Sequence, residues 1–412
     1  LASTADLRPS LRAVLGRDEV AAACQLDGCD AEVYPTSPEE IVQIALTSGT
    51  TGAPKLASLS ARLKQLTFEG FTARLQMVAG DGVLPLSPIS QGVGEMSLYA
   101  LRLGACLVMA HEPRFDAEQA LRLVASSRPT VLSGVPTMIS RMLHCPVEAD
   151  LSALRLTAVA GAPMPPEVAA AWEQRSGAPV CSFYGAMDIG QLAVGSPDDP
   201  VEQRWHSVGR PHEAAEVLVC DPDGRPLQAG EVGEVCMRGP LVQDRYWGEE
   251  AGPYAADGWA HFGDLGYLDT DGFLHVVGRT KDIVIRGGNN INPFELEAML
   301  SDHPAVAEAC LVGVPDPDLG ERAVVFVVVR PGQRVSLDEL LAFLASRGLA
   351  RYKWPERLVV LDELPLGASG KVARRALREL AAAAEGAVDA RAGGGTDARA
   401  GGGTGVPRRG YG

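Results

Sequence analysis

Short apolar runs alternate with helix-like segments between residues 105 and 183, and this rhythm limits the folds open to the chain. Each short run has the length of a strand, and each longer segment repeats its apolar residues at helical spacing. The predicted strands are 105–109, 131–133, 154–160 and 180–183, and the predicted helices between them are 117–126, 136–143 and 166–176. Strand, helix and strand in succession favour parallel pairing with helices packed on the sheet. The sequence therefore predicts an α/β fold with mixed or largely parallel sheets.

Turn signals become frequent after Gly190, and short Val-rich runs lie between them. Examples are the Asp-Gly pairs at 223–224, 257–258 and 271–272. Such spacing is typical of antiparallel β structure. We therefore expect a β-rich subdomain at about residues 191–278, as the last part of a large N-terminal domain covering residues 1–278.

Residues 279–385 mix strands with helices and form a third unit. Its strands are predicted at 281–285, 309–312, 323–329 and 359–361, and its helices at 293–301, 337–347 and 373–384. This pattern predicts a small α+β C-terminal domain. Residues 386–412 contain the repeated segment DARAGGGT and almost no large apolar residue, so we expect a disordered tail.

Charge and cysteine content exclude several classes of protein. The chain has 52 acidic and 37 basic residues, a net charge of -15, whereas nucleic-acid binding relies on clustered Lys and Arg. No apolar run approaches the ~20 residues that a membrane span needs. The eight cysteines form no CxxC pair and no zinc-ligand spacing with His. We therefore expect buried core cysteines in a reducing cytoplasm, with no nucleic acid as partner.

A polar loop after a predicted strand at residues 39–46 is the first candidate site. It consists of Thr47, Ser48, Gly49, Thr50, Thr51, Gly52, Ala53, Pro54 and Lys55. Glycines allow the backbone to approach an anion closely, and hydroxyls, amides and a lysine can bind phosphate oxygens. The order of residues differs from the GxxxxGK[ST] phosphate loop. An ordinary polar turn remains the alternative.

Three later segments carry one functional side chain each. Tyr184 follows a predicted strand and can stack on a purine, and Asp188 close behind it can hold a hard cation. Asp264 can accept hydrogen bonds from ribose hydroxyls, and Lys371 on a small-residue loop can stabilise developing negative charge. The alternatives are a buried strand-end tyrosine, a helix-capping or turn aspartate, and a solvated surface lysine.

Together with one further loop, these segments resemble the motifs of the adenylate-forming superfamily, which contains acyl- and aryl-CoA ligases and stand-alone adenylation enzymes. The resemblance runs from about residue 39 to residue 377. Its motifs are TSGTTGAPK at 47–55, GAP at 161–163, FYGAMD at 183–188, WAHFGDLGYLDTDGFLHVVGRTKD at 259–282 and LPLGASGKVARRAL at 364–377. Five motifs in the family's order are far more specific than any one of them.

The resemblance implies ATP-dependent formation of an acyl-AMP, followed by transfer of the acyl group to a thiol after the C-terminal domain rotates. By motif match, Ser48, Thr50, Thr51 and Lys55 would hold the β- and γ-phosphates of ATP, in a nucleotide-binding loop that also contains Thr47, Gly49 and Gly52. Gly161, Ala162 and Pro163 would form the adenine-side loop, and Tyr184 would lie against adenine in a nucleotide-binding segment with Gly185, Ala186 and Met187. Asp188 would help to bind Mg²⁺, and Asp264 would accept from the ribose hydroxyls, with Arg279 nearby. Lys371 would bridge the carboxylate and the α-phosphate. Lys281 would be the hinge, and Gly287 and Gly288 would admit the pantetheine arm of coenzyme A or of a carrier protein.

Several positions differ from the family's pattern. Met187 stands where a threonine is usual, Asp188 replaces a glutamate, and Ser60 replaces a histidine that often follows the phosphate loop. Pro88 occupies the position of the usual aromatic or histidine gate to the acid pocket. Only 46 residues precede Thr47, so we expect part of the N-terminal domain and one wall of the acid pocket to be missing from this sequence.

Three functions stay open from the sequence. The first is an acyl- or aryl-CoA ligase, for which Arg286 and Arg322 are candidate contacts to the phosphates of coenzyme A. The second is an adenylation enzyme that loads a carrier protein on a separate chain. The third is a catalytically weak nucleotide-binding homologue. The segment 88–96 contains Glu95 as its only acidic residue, which favours a non-amino carboxylic acid as substrate.

Overall fold

The computed structural model describes residues 36–47, 55–90, 92–109, 115–186, 189–249, 252–367 and 371–382. Its first nine strands are β1 (Ile41–Thr47), β2 (Lys55–Ser60), β3 (Gly82–Pro85), β4 (Cys106–Leu107), β5 (Val131–Gly134), β6 (Leu156–Val159), β7 (Val180–Gly185), β8 (Gln191–Val194) and β9 (Arg210–Pro211). The largest sheet of these ranges has the order β4-β3-β5-β6-β7-β8-β9. It is parallel from β4 to β7 and antiparallel from β7 to β9. The predicted α/β architecture is confirmed, although the predicted strand 105–109 is limited to β4.

Helices cover both faces of this sheet. They are α1 (Ala61–Arg74), α2 (Gly92–Met96), α3 (Tyr99–Arg102), α4 (Ala117–Ser127), α5 (Pro136–His144), α6 (Pro166–Ser176) and α7 (Val201–His206). One face packs Phe71 and Tyr99 against strand residues such as Phe183. The other face packs Ile139 and Trp172. Because β5, β6 and most of β7 are buried on both faces, their residues are mostly apolar, which explains why runs rather than alternation predicted them.

The β-rich part forms a separate antiparallel sheet. Its strands are β10 (Glu216–Cys220), β11 (Gly233–Arg238), β12 (Ala260–Leu268) and β13 (Leu274–Arg279). They pair in the order β10-β11-β12-β13, as the frequent turn signals predicted. Met237, Ala260 and Leu274 from this sheet pack against Leu192 of β8. The sheet is thereby attached to the end of the large sheet.

The C-terminal unit is a second mixed sheet with helices on both sides. Its elements are β14 (Val284–Arg286), β15 (Asn289–Ile291), α8 (Pro293–Ser301), β16 (Val306–Asp316), β17 (Gly320–Val329), α9 (Leu337–Ser346), β18 (Arg357–Leu361) and a last helix over residues 374–382. Leu296 and Leu340 pack on one face. Leu377 packs on the other face. The predicted α+β character is confirmed.

The predicted strand at residues 281–285 is wrong. Thr280–Asp282 form a single 3₁₀ turn, and the strand begins only at Val284, which is fully buried. Asp282 in this turn faces Arg374 at 3.9 Å and Arg378 at 3.4 Å in the last helix. The charged turn separates β13 from the C-terminal sheet, and the apolar residues after Lys281 belong to the next strand.

Several helices begin and end where local chemistry favours it. Ser60 and Asp116 accept hydrogen bonds from Leu63 N and Gln119 N at the starts of α1 and α4. Ser336 and Glu339 form a capping box at the start of α9. No helix in the described ranges is long and apolar enough to cross a membrane. The predicted tail, residues 386–412, lies outside the described residues.

Candidate active site

Parallel strands of the large sheet end at one edge, and the candidate site lies there. Val135 follows β5, Gly161 follows β6 closely, and Tyr184 lies near the end of β7. Open α/β sheets bind their ligands outside the carboxyl ends of the strands. Gly161 has a φ of 93°, which favours glycine, and Ala162 and Pro163 after it are exposed. This loop is therefore open to a ligand.

A buried carboxylate joins the large sheet to the β-rich sheet. The Tyr184 hydroxyl donates to Asp264 Oδ2 at 2.5 Å. Arg279 lies opposite Asp264 in the β12–β13 pair and donates to both carboxylate oxygens, Nη2 to Oδ2 at 3.3 Å and Nε to Oδ1. Burial opposes the charge of Arg279, but the Asp264 carboxylate outweighs it and holds the pKa of Arg279 above its ordinary value. Motif residues separated by 80 positions thus share one hydrogen-bond network.

Lys371 comes from the C-terminal unit and reaches the edge of the large sheet. A Cβ added to Gly161 would lie 2.6 Å from Lys371 Cε, so the lysine side chain packs directly on that glycine. Gly367 N donates to Lys371 O at 2.8 Å, and Leu366 and Val372 form a β-bridge that closes the loop. The Lys371 side chain keeps contact with solvent while it packs on Gly161.

The charges in this cleft favour an anionic ligand. Desolvation lowers the pKa of Lys371, and the positive charges of Arg279 and then Lys281 add to that effect, while Asp264 partly opposes it. Asp264 is the one carboxylate that opposes this lowering of the pKa of Lys371, and Asp282 acts on Arg279 in addition. Preorganised positive charge at the carboxyl ends of parallel strands is suited to phosphate oxygens and to a carboxylate nucleophile.

The predicted phosphate loop connects the two strands of a β-hairpin. Thr47 at the end of β1 pairs with Lys55 at the start of β2. The Lys55 ammonium lies 4.4 Å from the centroid of the Tyr246 ring. Ser58 N donates to Gln243 Oε1 at 2.6 Å, which attaches β2 to the segment before β12. The loop residues between the strands, together with two of the residues after β7, lie outside the described ranges: Ser48, Gly49, Thr50, Thr51, Gly52, Ala53, Pro54, Met187 and Asp188.

The predicted hinge and glycine loop lie in consecutive turns. Lys281 is exposed in the 3₁₀ turn after β13. Gly287 and Gly288 connect β14 to β15 with φ values of 55° and 80°, and Gly287 N donates to Leu319 O at 2.7 Å. The glycines are required there because both positions are left-handed. Lys281 contributes to the charge around Lys371, whereas the glycine pair belongs to the C-terminal sheet.

A buried ion pair near the predicted acid pocket was not found from the sequence. Lys64 Nζ in α1 contacts Glu95 Oε1 in α2 at 2.6 Å, and Glu95 is 6% exposed. The Lys64 ammonium also lies 5.2 Å from the centroid of the Tyr99 ring. Burial opposes the charge of Lys64, but Tyr99 and Glu95 outweigh it and raise its pKa. The charge of Glu95 is therefore already compensated within the protein.

Charged side chains also meet on the outer side of the cleft, where α5 faces the C-terminal sheet. Arg141 Nε lies 2.9 Å from Glu308 Oε1, and both side chains are largely shielded from solvent. His144 contacts Arg330 beside this pair. Because these residues lie 167 and 186 positions apart, only the docked arrangement of the two units brings them together.

Two carboxyl groups face each other at a second outer contact. Glu167 begins α6, and Asp302 ends α8. Desolvation first, and then the hydrogen bond with Asp302, raise the pKa of Glu167 to about 7. Asp302 Oδ2 pairs with Arg347 at 2.8 Å, whereas its buried Oδ1 has no donor from any described residue. A protonated Glu167 is the donor that would satisfy Oδ1.

Known proteins with related sequences share this arrangement of domains. A family model for AMP-binding enzymes matches residues 4–247, and a model for the C-terminal domain of AMP-binding enzymes matches residues 295–371. A feruloyl-CoA synthase from an Amycolatopsis species is 34% identical over 86% of this chain and 73% of its own length. A medium-chain fatty-acid–CoA ligase from Escherichia coli is 32% identical over 90% of this chain and 68% of its own length.

Solved structures extend the match to the fold. The anthranilate CoA ligase AuaEII, solved with anthranoyl-AMP, has a TM-score of 0.77 at 27% identity, over 86% of this chain and 70% of that one. The expected large N-terminal and small C-terminal domains agree with this neighbour. The chain therefore belongs to the family of AMP-binding enzymes and is an AMP-forming acid–thiol ligase.

Proposed function

We propose that the cleft between Tyr184, Asp264, Arg279 and Lys371 activates a non-amino carboxylic acid with ATP and that the acyl group then passes to coenzyme A. The position of Lys371 is the observation that carries this proposal. Its side chain crosses from the C-terminal unit, packs on Gly161 and keeps its ammonium near Arg279 and Asp264. A cation at this place can contact a carboxylate and a phosphate at the same time.

In the first half-reaction, a carboxylate oxygen of the acid attacks the α-phosphorus of ATP. A new P–O bond forms, the bond to the β-phosphate oxygen breaks, and pyrophosphate leaves with its electron pair. Lys371 would hold the carboxylate and α-phosphate oxygens together and stabilise their charge, because positioning and electrostatics dominate such transfers. In the second half-reaction, the thiolate of coenzyme A attacks the acyl carbonyl carbon and AMP leaves, after the thiol proton has passed to solvent or a base.

The nucleotide would be held from both sheets. Asp264 uses its oxygens for Tyr184 and Arg279, and a carboxylate with two oxygens keeps further lone pairs for ribose hydroxyls. The loop 47–55 would bind the β- and γ-phosphates. One carboxylate with phosphate oxygens suits Mg²⁺, so Asp188 would help to hold the ion, which supplies charge neutralisation on the phosphates.

The pairing of the Glu95 carboxylate with Lys64 supports a substrate acid that has no ammonium group. Glu95 is the only acidic residue of segment 88–96, and it is paired with Lys64 inside the protein. An ammonium-bearing substrate would have to displace that lysine and leave a buried charge unpaired. Two relatives named above are a feruloyl-CoA synthase and a medium-chain fatty-acid–CoA ligase, whose acids carry no amino group. We therefore expect an aryl or medium-chain acid.

Acid-dependent release of pyrophosphate from Mg-ATP tests the first half-reaction. The panel contains aryl acids, medium-chain aliphatic acids and amino acids at equal concentration. We expect a signal from the first two classes and none from amino acids. Release with amino acids alone would overturn the assignment of the acid, and no release with any acid, while ATP still binds, would overturn the proposed activity.

Addition of coenzyme A to the active acid tests the second half-reaction. We expect acyl-CoA and AMP in equal amounts, measured by mass spectrometry. The matched comparison replaces coenzyme A by a carrier protein bearing phosphopantetheine. Acylation of the carrier without acyl-CoA formation would assign the thiol to a carrier protein instead.

A further inference from the structure

Neighbouring strands of the β-rich sheet place sulfur, imidazole and carboxylate groups on one face. Cys220 of β10 lies opposite Glu234 of β11, and Cys236 of β11 lies opposite His261 of β12. Side chains alternate between the faces of a strand, so Glu234 and Cys236, two positions apart, point to the same side. Strand register therefore gathers the four groups at one place in the sheet.

The donor atoms of these groups have the spacing of a metal site. The sulfurs of Cys220 and Cys236 are 3.4 Å apart, Cys236 Sγ is 3.3 Å from His261 Nδ1, and His261 Nδ1 is 3.0 Å from Glu234 Oε2. Around a tetrahedral Zn²⁺, with Zn–S of about 2.3 Å and Zn–N of about 2.0–2.1 Å, donor atoms are roughly 3.3–3.8 Å apart. Among the described residues, the donor atoms that all lie within 4.8 Å of one another belong to Cys220, Cys236 and Glu234. His261 contacts two of these three residues from outside that set.

The outer contacts of the cluster orient its ligands. His261 Nε2 lies 3.1 Å from Asp257 Oδ2, so a proton on Nε2 leaves the lone pair of Nδ1 facing the sulfurs. Glu234 Oε1 accepts from Gly263 N at 3.1 Å, which fixes the carboxylate with Oε2 facing His261 Nδ1. Metal-binding histidines usually donate their second ring nitrogen to a carboxylate, which fixes the ring and its tautomer.

We propose that Cys220, Cys236, His261 and Glu234 form a structural Zn²⁺ site. Cys220, Cys236 and Glu234 supply three ligands whose donor atoms already lie close together. A rotation of the His261 ring, whose Nδ1 contacts Cys236 and Glu234, would add the fourth ligand and close a tetrahedron, as in structural rather than catalytic zinc sites. Zn²⁺ takes the place of both thiol protons, and these are released to solvent on binding. Cys220 and Cys236 are 2% and 0% exposed, so the two soft ligands lie inside the protein and the imidazole and carboxylate lie toward the surface.

A disulfide is the competing use of the two cysteines, and the register disfavours it. Cys220 pairs with Glu234, and Cys236 pairs with Leu218, so the cysteines are diagonal rather than opposite neighbours. Diagonal Cα atoms in antiparallel sheets are about 7–8 Å apart. Disulfides need Cα atoms closer than about 7 Å. A disulfide would also leave the orientation of His261 and Glu234 unexplained.

The Zn²⁺ site would hold in place strand β12, which carries Asp264, the proposed ribose-binding residue. His261 lies three residues before Asp264 in β12. A metal joining β10, β11 and β12 would hold this strand against its neighbours, and it would do so without touching the substrates. The proposal therefore stands apart from the adenylation chemistry, and its test needs no activity measurement.

Metal content of the full chain, purified without chelators and then incubated with Zn²⁺ and desalted, is the direct test. We expect about one Zn²⁺ per chain, as for a closed structural site. Replacement by Co²⁺ should give the absorption bands of a tetrahedral thiolate complex. Cys236→Ser should lose the metal and these bands, whereas Cys310→Ser, which removes a buried cysteine of the C-terminal sheet, should retain both. Asp257→Asn should weaken Zn²⁺ binding by about 10- to 100-fold.

If Cys236→Ser fails to fold, experiments on the unmodified protein test whether the Zn²⁺ site exists. Protection of both thiols against alkylation by added Zn²⁺, reversed by chelator, supports the site. Zn²⁺ below about a tenth of an equivalent after incubation, with no thiolate–Co²⁺ bands, would overturn a closed site of this kind. Non-reducing mass spectrometry that finds Cys220 joined to Cys236 in freshly purified protein would overturn it as well.

Discussion

The C-terminal unit touches the N-terminal domain at an inner contact in the cleft and at outer contacts beside it, and the two differ in charge balance. At the inner contact, Lys371 packs on Gly161 and its pKa is lowered by desolvation and by Arg279. At the outer contacts, Arg141 pairs with Glu308 at 2.9 Å. The inner charge is left for a ligand to satisfy, whereas Arg141 and Glu308 at the outer side satisfy each other.

This difference indicates that the contacts that hold the C-terminal unit in place are separate from the side chain that takes part in adenylate formation. The outer contacts need no substrate, so they can hold the C-terminal unit docked, with Lys371 at the cleft, whether or not a ligand is bound there. The inner lysine gains a full partner only when phosphate and carboxylate oxygens arrive. Substitutions at the inner contact should therefore affect the first half-reaction strongly, and those at the outer contacts should change it weakly.

Lys371→Ala should have the largest effect. Loss of the ammonium should slow acid-dependent pyrophosphate release by about 10²–10³-fold, the usual effect of removing one charge-stabilising donor. Thioester formation from supplied acyl-AMP should survive, because only the first half-reaction uses that charge. Parallel assays of both half-reactions measure the split.

Lys353→Ala is the matched control for Lys371→Ala. Lys353 belongs to the same domain, pairs with Glu295 at 2.6 Å and is not among the charges that act on Lys371. We expect both half-reactions of this variant to keep their rates. Equal loss of the two half-reactions in Lys371→Ala would contradict the role given to the inner lysine.

Asp264→Asn should have the second-largest effect, on ATP binding. The substitution weakens hydrogen bonds to a charged group, each worth about 1.5–3 kcal/mol, so the KM for ATP should rise by roughly 10- to 150-fold. Tyr184→Phe keeps the carboxylate and removes only one of its donors, and its KM should change by less than about tenfold. An unchanged KM in Asp264→Asn, with the protein folded, would exclude this carboxylate from the ribose site.

Local sequence predicted the inner site much better than the outer contacts. Asp264 and Arg279 lie on the two sides of the turn at 271–272, which predicts their neighbourhood, and a register shift between Leu265 and Gly266 brings them directly opposite each other. The helix at 166–176 was predicted with its observed bounds, because Pro166 opens it and Gly177 follows it. Such signals act within one element or one turn.

Contacts between distant segments gave no comparable signal. Arg141 and Glu308 are charged residues of ordinary surface type, and only domain docking makes them partners. The register of neighbouring strands brings together Cys220, Cys236 and His261, so no short sequence motif predicts that they are neighbours. The turn at Lys281 was misread as a strand because the apolar residues that follow it belong to the next element.

Glu308→Gln should have a smaller effect than either inner substitution. The variant removes the charge paired with Arg141, and a shielded surface pair is worth up to about 1 kcal/mol. Pyrophosphate release should therefore slow by roughly fivefold at most, and thioester formation from supplied acyl-AMP should not slow. Glu118→Gln, which breaks the exposed Glu118–Arg122 pair within α4, is the matched control and should leave both rates unchanged. Slowing of both half-reactions by Glu308→Gln would indicate general destabilisation instead.

Glu167→Gln should have the smallest effect, visible only as a change in pH dependence. Docking raises the pKa of Glu167 from 4.5 to about 7, so the docked arrangement binds more protons in that interval and is weakened as pH rises through it. An amide in place of the carboxyl donates to Asp302 at every pH. Because Glu167 stays exposed to solvent, the gain should be modest.

We expect pyrophosphate release by Glu167→Gln to match the unmodified protein near pH 6 and to exceed it by about two- to threefold at pH 8, within the range of surface charge interactions. Glu202→Gln, an exposed acid in the first turn of α7, should follow the unmodified profile throughout. If Glu167→Gln also follows it, Glu167 makes no contribution to docking, and Arg141–Glu308 and the His144–Arg330 contact would hold the outer side alone. The ratio of the rate of Glu167→Gln to that of the unmodified protein, followed across pH, therefore measures how much proton binding by Glu167 contributes to the docked position of Lys371.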